Sequence, residues 1–93
     1  MLYIWDEDKR EANLIRHGFD FTDAYLVYEN PAKVTLESPR RGEARTLDMA
    51  FVEIAGAVLA LVYTNRDNQI RVISFRRASR GERRRYAATE EQD

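Results

Sequence analysis

Asn30-Pro31 divides this chain into two regimes of hydrophobic spacing, and that change of period limits the fold more than any other feature. Before it, Phe21, Ala24, Tyr25 and Tyr28 recur at i, i+3, i+4 and i+7, one apolar face of a helix. After it, apolar residues alternate with polar ones, as at Val34 and Leu36 and again at Leu47, Met49 and Phe51. A proline disfavours helix in the residue before it, so the break has a local cause. Helices therefore come first and a run of strands follows, the order of an α+β chain.

Punctuation residues divide the two regimes into elements. Leu2 to Trp5 reads as a short strand, and Asp6 as a helix N-cap with Glu7 and Asp8 in the first turn, where the helix dipole favours acids. That helix runs to Arg16, and His17-Gly18 supplies its stop. The phase change at Phe51-Val52 suggests a bulge or the approach to a turn at Ala55-Gly56. Ala57 to Thr64 suits a central strand buried on both faces. Arg66-Asp67-Asn68-Gln69 reads as a tight hairpin turn, because Asp and Asn tolerate left-handed backbone, and Ile70 to Arg77 is the return strand. Ser79-Arg80-Gly81-Glu82 matches the capping box and opens a last helix. The order is βααββββα: one small α+β domain over residues 1–88, an antiparallel meander with two N-terminal helices and one C-terminal helix. Residues 89–93 form an acidic tail with nothing to bury, expected to fray.

A two-residue turn at Asp67-Asn68 would make facing residues sum to 135. Arg76 would then share a face with Ser74 and Tyr63, and Arg71 and Phe75 would share the other with Thr64 and Val62. A slip of one residue reverses that grouping.

Charge is segregated. From Arg66 to Tyr86 eight arginines meet two acids, although the chain as a whole sums to −1. Residues 1–65 hold seven bases and eleven acids. Clustered arginine suits a polyanion such as nucleic acid, while a solvated strand edge and helix face would look the same on charge alone. No cysteine is present, which removes disulfides, thiolate zinc sites and cysteine nucleophiles. With a single histidine, a dedicated transition-metal site is not expected, nor is any cofactor. The first residues lack the pattern of a signal peptide, and the run from Ala55 to Tyr63 is too short to span a bilayer, so a cytoplasmic location is expected.

Ile4-Trp5-Asp6, Lys9, Asn13, His17-Gly18, Phe21 and Ala24 resemble the opening signature of the BrnT toxins. Glu43-Ala44-Arg45 resembles that family's Glu-x-Arg step, and Tyr63-Thr64-x-Arg66, Ile70-Arg71-Val72-Ile73-Ser74-x-Arg76-x-Ala78 and Glu82-x-x-x-Tyr86 resemble its closing signature. The resemblance runs from Ile4 to Tyr86 and implies a RelE-like fold and a ribonuclease toxin of a type II toxin–antitoxin pair. It also implies a BrnA-like, DNA-binding antitoxin as partner, RNA (mRNA above all) as substrate, and operator DNA met only through the antitoxin. Phe75 stands where the family commonly has a small residue.

A metal-free ribonuclease needs a group to take the 2′-hydroxyl proton, a proton for the leaving 5′-oxygen, and cations on the scissile phosphate. Arg76, at a strand end near a helix start, is the first choice for the cation, against a salt bridge to a helix carboxylate. His17 alone has an unperturbed pKa suited to proton transfer near neutrality, but a histidine in the last turn of a helix often serves its carbonyls and dipole. Glu43 and Arg45 fall two apart on an incoming strand, hence on one face, as base and phosphate clamp or as a self-neutralising pair. Tyr86 is an acid, a base-stacking platform or a core anchor. Arg66, Arg71 and Lys9 complete the RNA-binding candidates, each with a structural or solvated alternative. Two competing functions use the same residues: an inactive toxin-like protein within an antitoxin–operator complex, and a single-strand nucleic-acid binding module.

Overall fold

The computed structural model describes residues 2–40 and 43–91, excluding the side chains of 38–40, 43 and 91. Five strands form one sheet in the order β1-β5-β4-β3-β2. β2 (Val34–Arg40), β3 (Glu43–Val52), β4 (Ala57–Arg66) and β5 (Gln69–Arg77) make the expected antiparallel meander. β1 (Leu2–Ile4) lies parallel to β5 and pairs with it only from Gln69 to Arg71. From Val72 onward β5 is therefore an edge.

α1 (Glu7–His17) starts where the acids predict. The Asp6 carboxylate accepts from the backbone N–H groups of Asp8 and Lys9, at 2.9 and 3.2 Å. It ends at Gly18, whose φ of 78° closes the left-handed cap while its N–H donates to the Leu14 carbonyl. The second helical stretch differs from the expected single helix. A 3₁₀ turn, Phe21–Asp23, precedes the short α2, Tyr25–Tyr28. Three residues per turn align positions three apart, so Phe21, Ala24 and Val27 are buried, whereas Tyr25 is exposed. α3 (Arg80–Glu91) opens with the capping box: Ser79 N–H donates to Glu82 and Glu82 N–H to the Ser79 hydroxyl. It continues past Ala88, where fraying was expected, and the Thr89 hydroxyl donates to the Arg85 carbonyl. Gln92 and Asp93 lie outside the described residues.

The two faces of the sheet carry two cores. α1, the 3₁₀ turn and α2 cover the first, where Phe21, Leu59, Leu61, Ile70, Val72 and Phe75 are almost wholly buried. Full burial of such side chains contributes about 1.5–3 kcal/mol each. On the second, Met49 and Ala60 pack with Ala78 and with Tyr86 of α3.

The hairpin turn is as expected: Asp67 and Asn68 both have positive φ, 51° and 64°, and Arg66 faces Gln69. Facing residues sum to 135 as far as Tyr63 and Val72, and then the register shifts by one. Ile73 is the extra residue of a bulge, and beyond it Ser74 faces Val62, Phe75 faces Leu61 and Arg76 faces Ala60. This corrects the grouping by side. Phe75 turns into the first core beside Leu61 and Tyr63, while Ser74 and Arg76 join Val62 and Arg71 on the second face. A two-residue periodicity cannot foresee the bulge, because one inserted residue inverts everything after it. Of the two readings of the phase change at Phe51-Val52, the approach to a turn holds and the bulge does not: β3 pairs regularly there, and a turn at Glu53–Gly56 follows. The two consecutive apolar residues serve opposite faces, Val52 buried on the first and Phe51 half exposed on the second.

Candidate functional site

The bulge gathers the basic candidates. By register, Arg71, Ser74 and Arg76 of β5, Arg66 of β4 and Arg45 of β3 lie on the second face. α3 covers only part of it. Leu47 and Val62 stay half-buried as the floor of an open hollow of about 250 Å³, with Arg45, Ser74, Arg76 and Glu82 around it.

Around the stretch of β5 that no strand pairs on this side, this hollow meets two others. Ser74 and Arg76 also line a hollow with Arg16, His17 and Arg77. Ser74 and Ile73 line a third with Lys9, Arg16 and His17. Ser74 is common to all three. The last turn of α1 and the first turn of α3 thus converge on the stretch of β5 that β1 leaves unpaired.

Asn13, buried in α1, fixes this convergence. Its amide donates to the carbonyls of Phe19 and Phe75, at 3.0 and 2.8 Å, and accepts from the Phe75 N–H at 3.3 Å. One side chain therefore ties α1 to β5 between Ser74 and Arg76 and satisfies two backbone groups there.

Arg76 makes the ion pair that was its structural alternative. Its Nη1 lies 2.7 Å from Glu82 Oε1, and its Nη2 is 3.1 Å from Oε2, a two-pronged contact. It nevertheless remains next to His17, and both groups are only partly buried. The bond from Arg76 draws the Glu82 carboxyl down to about 2. Glu82 therefore adds stability that is complete above its ordinary 4.5 and is lost as pH falls towards 2.

The His17 imidazole titrates below the ordinary histidine value. Burial is the main cause, and the positive charges of Arg16 and Arg76 add to it. It is consequently neutral at pH 7 and able to accept a proton.

The other candidates separate. Lys9 and Arg45 line the hollows, whereas Arg66 and Arg71 are exposed towards the hairpin end. Glu43 opens β3 opposite Arg40, but its side chain lies outside the described residues. Tyr86 is buried, donates no contact to the three hollows, and its hydroxyl accepts from the Phe51 N–H at 3.3 Å. That is the arrangement of a core anchor.

Sequence reasoning passed over Ser74, Arg16 and Arg77 as site residues, and it missed Asp48. Asp48 is fully buried on the first face, where it accepts from Lys33 Nζ at 2.8 Å, the Thr35 hydroxyl at 2.6 Å and the Tyr63 hydroxyl at 2.9 Å. Its signal was available: an acid between Leu47 and Met49 must point to the face opposite theirs, among Ala50 and Val52. Burial and this bond raise the Tyr63 phenol far above its usual value, so Tyr63 stays protonated. Among the described residues, no group of three or more His, Asp or Glu side chains could hold a metal ion. Nor, among those residues, is any helix long and apolar enough to cross a membrane.

A small α+β domain with arginines and one imidazole around a sheet edge has parts suited to phosphodiester cleavage. Residues 5–82 match the family described as ribonuclease toxin, BrnT, of type II toxin-antitoxin system, and the chain belongs to that family. It is thus an RNA-cleaving toxin with a cognate antitoxin. The sequence matches no curated protein.

Proposed function

We propose that the chain cleaves RNA without a metal, at the β5 edge between α1 and α3, and so inhibits translation in the cytoplasm until a BrnA-like antitoxin neutralises it. The observation that carries this reading is the shared hollow of His17, Ser74, Arg16, Arg76 and Arg77, in which a neutral base stands among fixed cations. His17 takes the proton of the ribose 2′-hydroxyl. The 2′-oxygen bonds to phosphorus, the bond from phosphorus to the 5′-oxygen breaks, and solvent protonates the departing oxygen. The products are a 2′,3′-cyclic phosphate and a 5′-hydroxyl end.

Arg76 stabilises the negative charge that gathers on the phosphate oxygens, with Arg16 and Arg77 raising the local potential. Arg45 and Lys9 flank the hollows and hold neighbouring phosphates, and Arg66 and Arg71 extend the contact along the sheet face. Glu43 enters on β3 two residues before Arg45 and is the competing base. Tyr86 acts by anchoring α3. The antitoxin, which carries the DNA-binding function, is the route by which this chain meets operator DNA.

Cleavage of RNA by the purified chain in excess chelator, beside His17→Ala and Arg76→Ala, tests the reading. The parent is expected to cut in chelator and both variants to fail. Cleavage that stops in chelator would sink the metal-free mechanism, and equal cutting by all three proteins would remove the site.

A further inference from the structure

A guanidinium offers two forked edges, an end edge made by Nη1 and Nη2 and a side edge made by Nε and Nη2. In Arg76 the end edge is taken by Glu82, at 2.7 and 3.1 Å, and Nη1 also donates to the Arg77 carbonyl at 3.3 Å. Among the described residues, no protein group accepts from Nε. The side edge thus has an Nε with no partner among the described residues, on a guanidinium that lines two hollows.

Glu82 is itself held in place. Its Oε1 accepts from Ser79 N–H at 2.8 Å while its own N–H donates to the Ser79 hydroxyl at 3.2 Å. It cannot swing away from Arg76 without uncapping α3. A planar group clamped along one edge has the plane of its other edge set as well.

We infer that Glu82 is the positioning residue of a phosphodiester subsite, holding Arg76 so that its Nε–Nη2 edge faces an RNA phosphate in the hollow shared with Ser74 and His17. This rests on the reading that Arg76 meets RNA. It assigns Glu82 the reverse of the role its charge suggests: the carboxylate assists anion binding, through Arg76, and does not compete with the anion. A phosphodiester needs two donors in one plane, and the side edge supplies both without breaking the Glu82 contact. The pair contributes no base selection, since it meets only backbone oxygens.

The test compares the parent with Glu82→Gln, Ser79→Ala and Arg76→Lys. Affinity is read by fluorescence anisotropy on a 2′-deoxy oligonucleotide, which cannot be cleaved, and kcat and KM on the matching RNA. Glu82→Gln is expected to weaken oligonucleotide binding about tenfold, the effect of losing one oriented contact, and to lower kcat. Ser79→Ala loses the hydroxyl that caps α3 but keeps the Ser79 N–H bond to Glu82 Oε1 and the pair with Arg76, so its thermal midpoint falls while its losses in affinity and kcat stay well below those of Glu82→Gln. Arg76→Lys keeps the charge and a partner for Glu82 but has no second fork, and is expected to fail as fully as Arg76→Ala.

Tighter or unchanged binding by Glu82→Gln would overturn the inference, as would an equal loss in Ser79→Ala, which would trace the effect to the helix start. A normal parent with such variants leaves the ribonuclease reading intact. A parent that neither binds nor cuts defeats that reading and this inference together.

Discussion

Phe75 and Arg76 are neighbours in sequence and belong to opposite faces of the sheet. Phe75 packs at zero exposure beside Leu61, its ring centroid 5.6 Å from that of Phe19. Arg76 reaches from the other face into open hollows, half-fixed by Glu82. The first face is closed by α1, the 3₁₀ turn and α2, and even its buried acid, Asp48, is satisfied three times over. On the second, Tyr86 and Ala78 close over Met49 and Ala60, while Leu47 and Val62 stay half-buried. Alternation along one set of strands thus gives a closed core on one face and, on the function proposed above, the chemistry on the other, and the bulge at Ile73 sets which residues of β5 lie on each.

That separation is broken most severely from the closed face. Phe75→Ala is expected to cost about 3–5 kcal/mol of unfolding free energy, because a buried aromatic leaves a cavity the core cannot refill. Urea denaturation measures it. Below the transition the variant should still bind an RNA oligonucleotide, and loss of binding in the folded variant would show that the faces are not independent.

Arg76→Ala is the mirror experiment. Its kcat on RNA should fall about 10²–10³-fold, the usual consequence of removing one donor to a transition-state anion. Its stability should change by only about 1 kcal/mol, since the pair with Glu82 is partly exposed. A stability loss as large as that of Phe75→Ala would make Arg76 a structural residue first.

How much of this was readable in the sequence depends on whether the cause was local. The caps at Asp6, Gly18 and Ser79 and the turn at Asp67-Asn68 were legible, because each acts through backbone groups within a few residues. The meander followed from period-two alternation. The side assignment of Phe75, Ser74 and Arg76 was not legible, since a bulge leaves no mark in hydrophobic spacing. Nor was the outward turn of Tyr25, which depends on the 3₁₀ start at Phe21. Arg76 and His17 were named as site residues from their chemistry, and the structure puts them beside one hollow. Ser74, at the junction of all three hollows, stood in the quoted Ile-Arg-Val-Ile-Ser block without a role, because its importance comes only from where β1 stops pairing.

Asp48 sharpens the comparison from within the closed face. Asp48→Ala leaves the buried Tyr63 hydroxyl without its acceptor, while Lys33 and Thr35 can turn to water. The expected cost is about 2 kcal/mol, the desolvation penalty of one stranded donor, again by urea denaturation. Cleavage should be unaffected in the folded variant. A selective loss of activity would instead place Asp48 and Tyr63 in the catalytic apparatus and cancel the division between faces.

The smallest effect is the most direct probe of the open face. His17 is the only histidine, so its imidazole protons can be followed by NMR without assignment of the rest. The parent is expected to titrate below the ordinary value of about 6.5. Burial is the first cause, so Arg76→Gln and Arg16→Gln should each raise the value yet leave it below that of a free histidine. The acid limb of kcat/KM should fall at the same pH as the NMR titration, because protonated His17 cannot accept the 2′-proton. If the limb and the titration disagree, His17 is the helix-end histidine that its position first suggested. If instead the variants leave the titration unmoved, Arg16 and Arg76 do not share an electrostatic site with it, and the convergence of α1 and α3 on β5 is packing without chemistry.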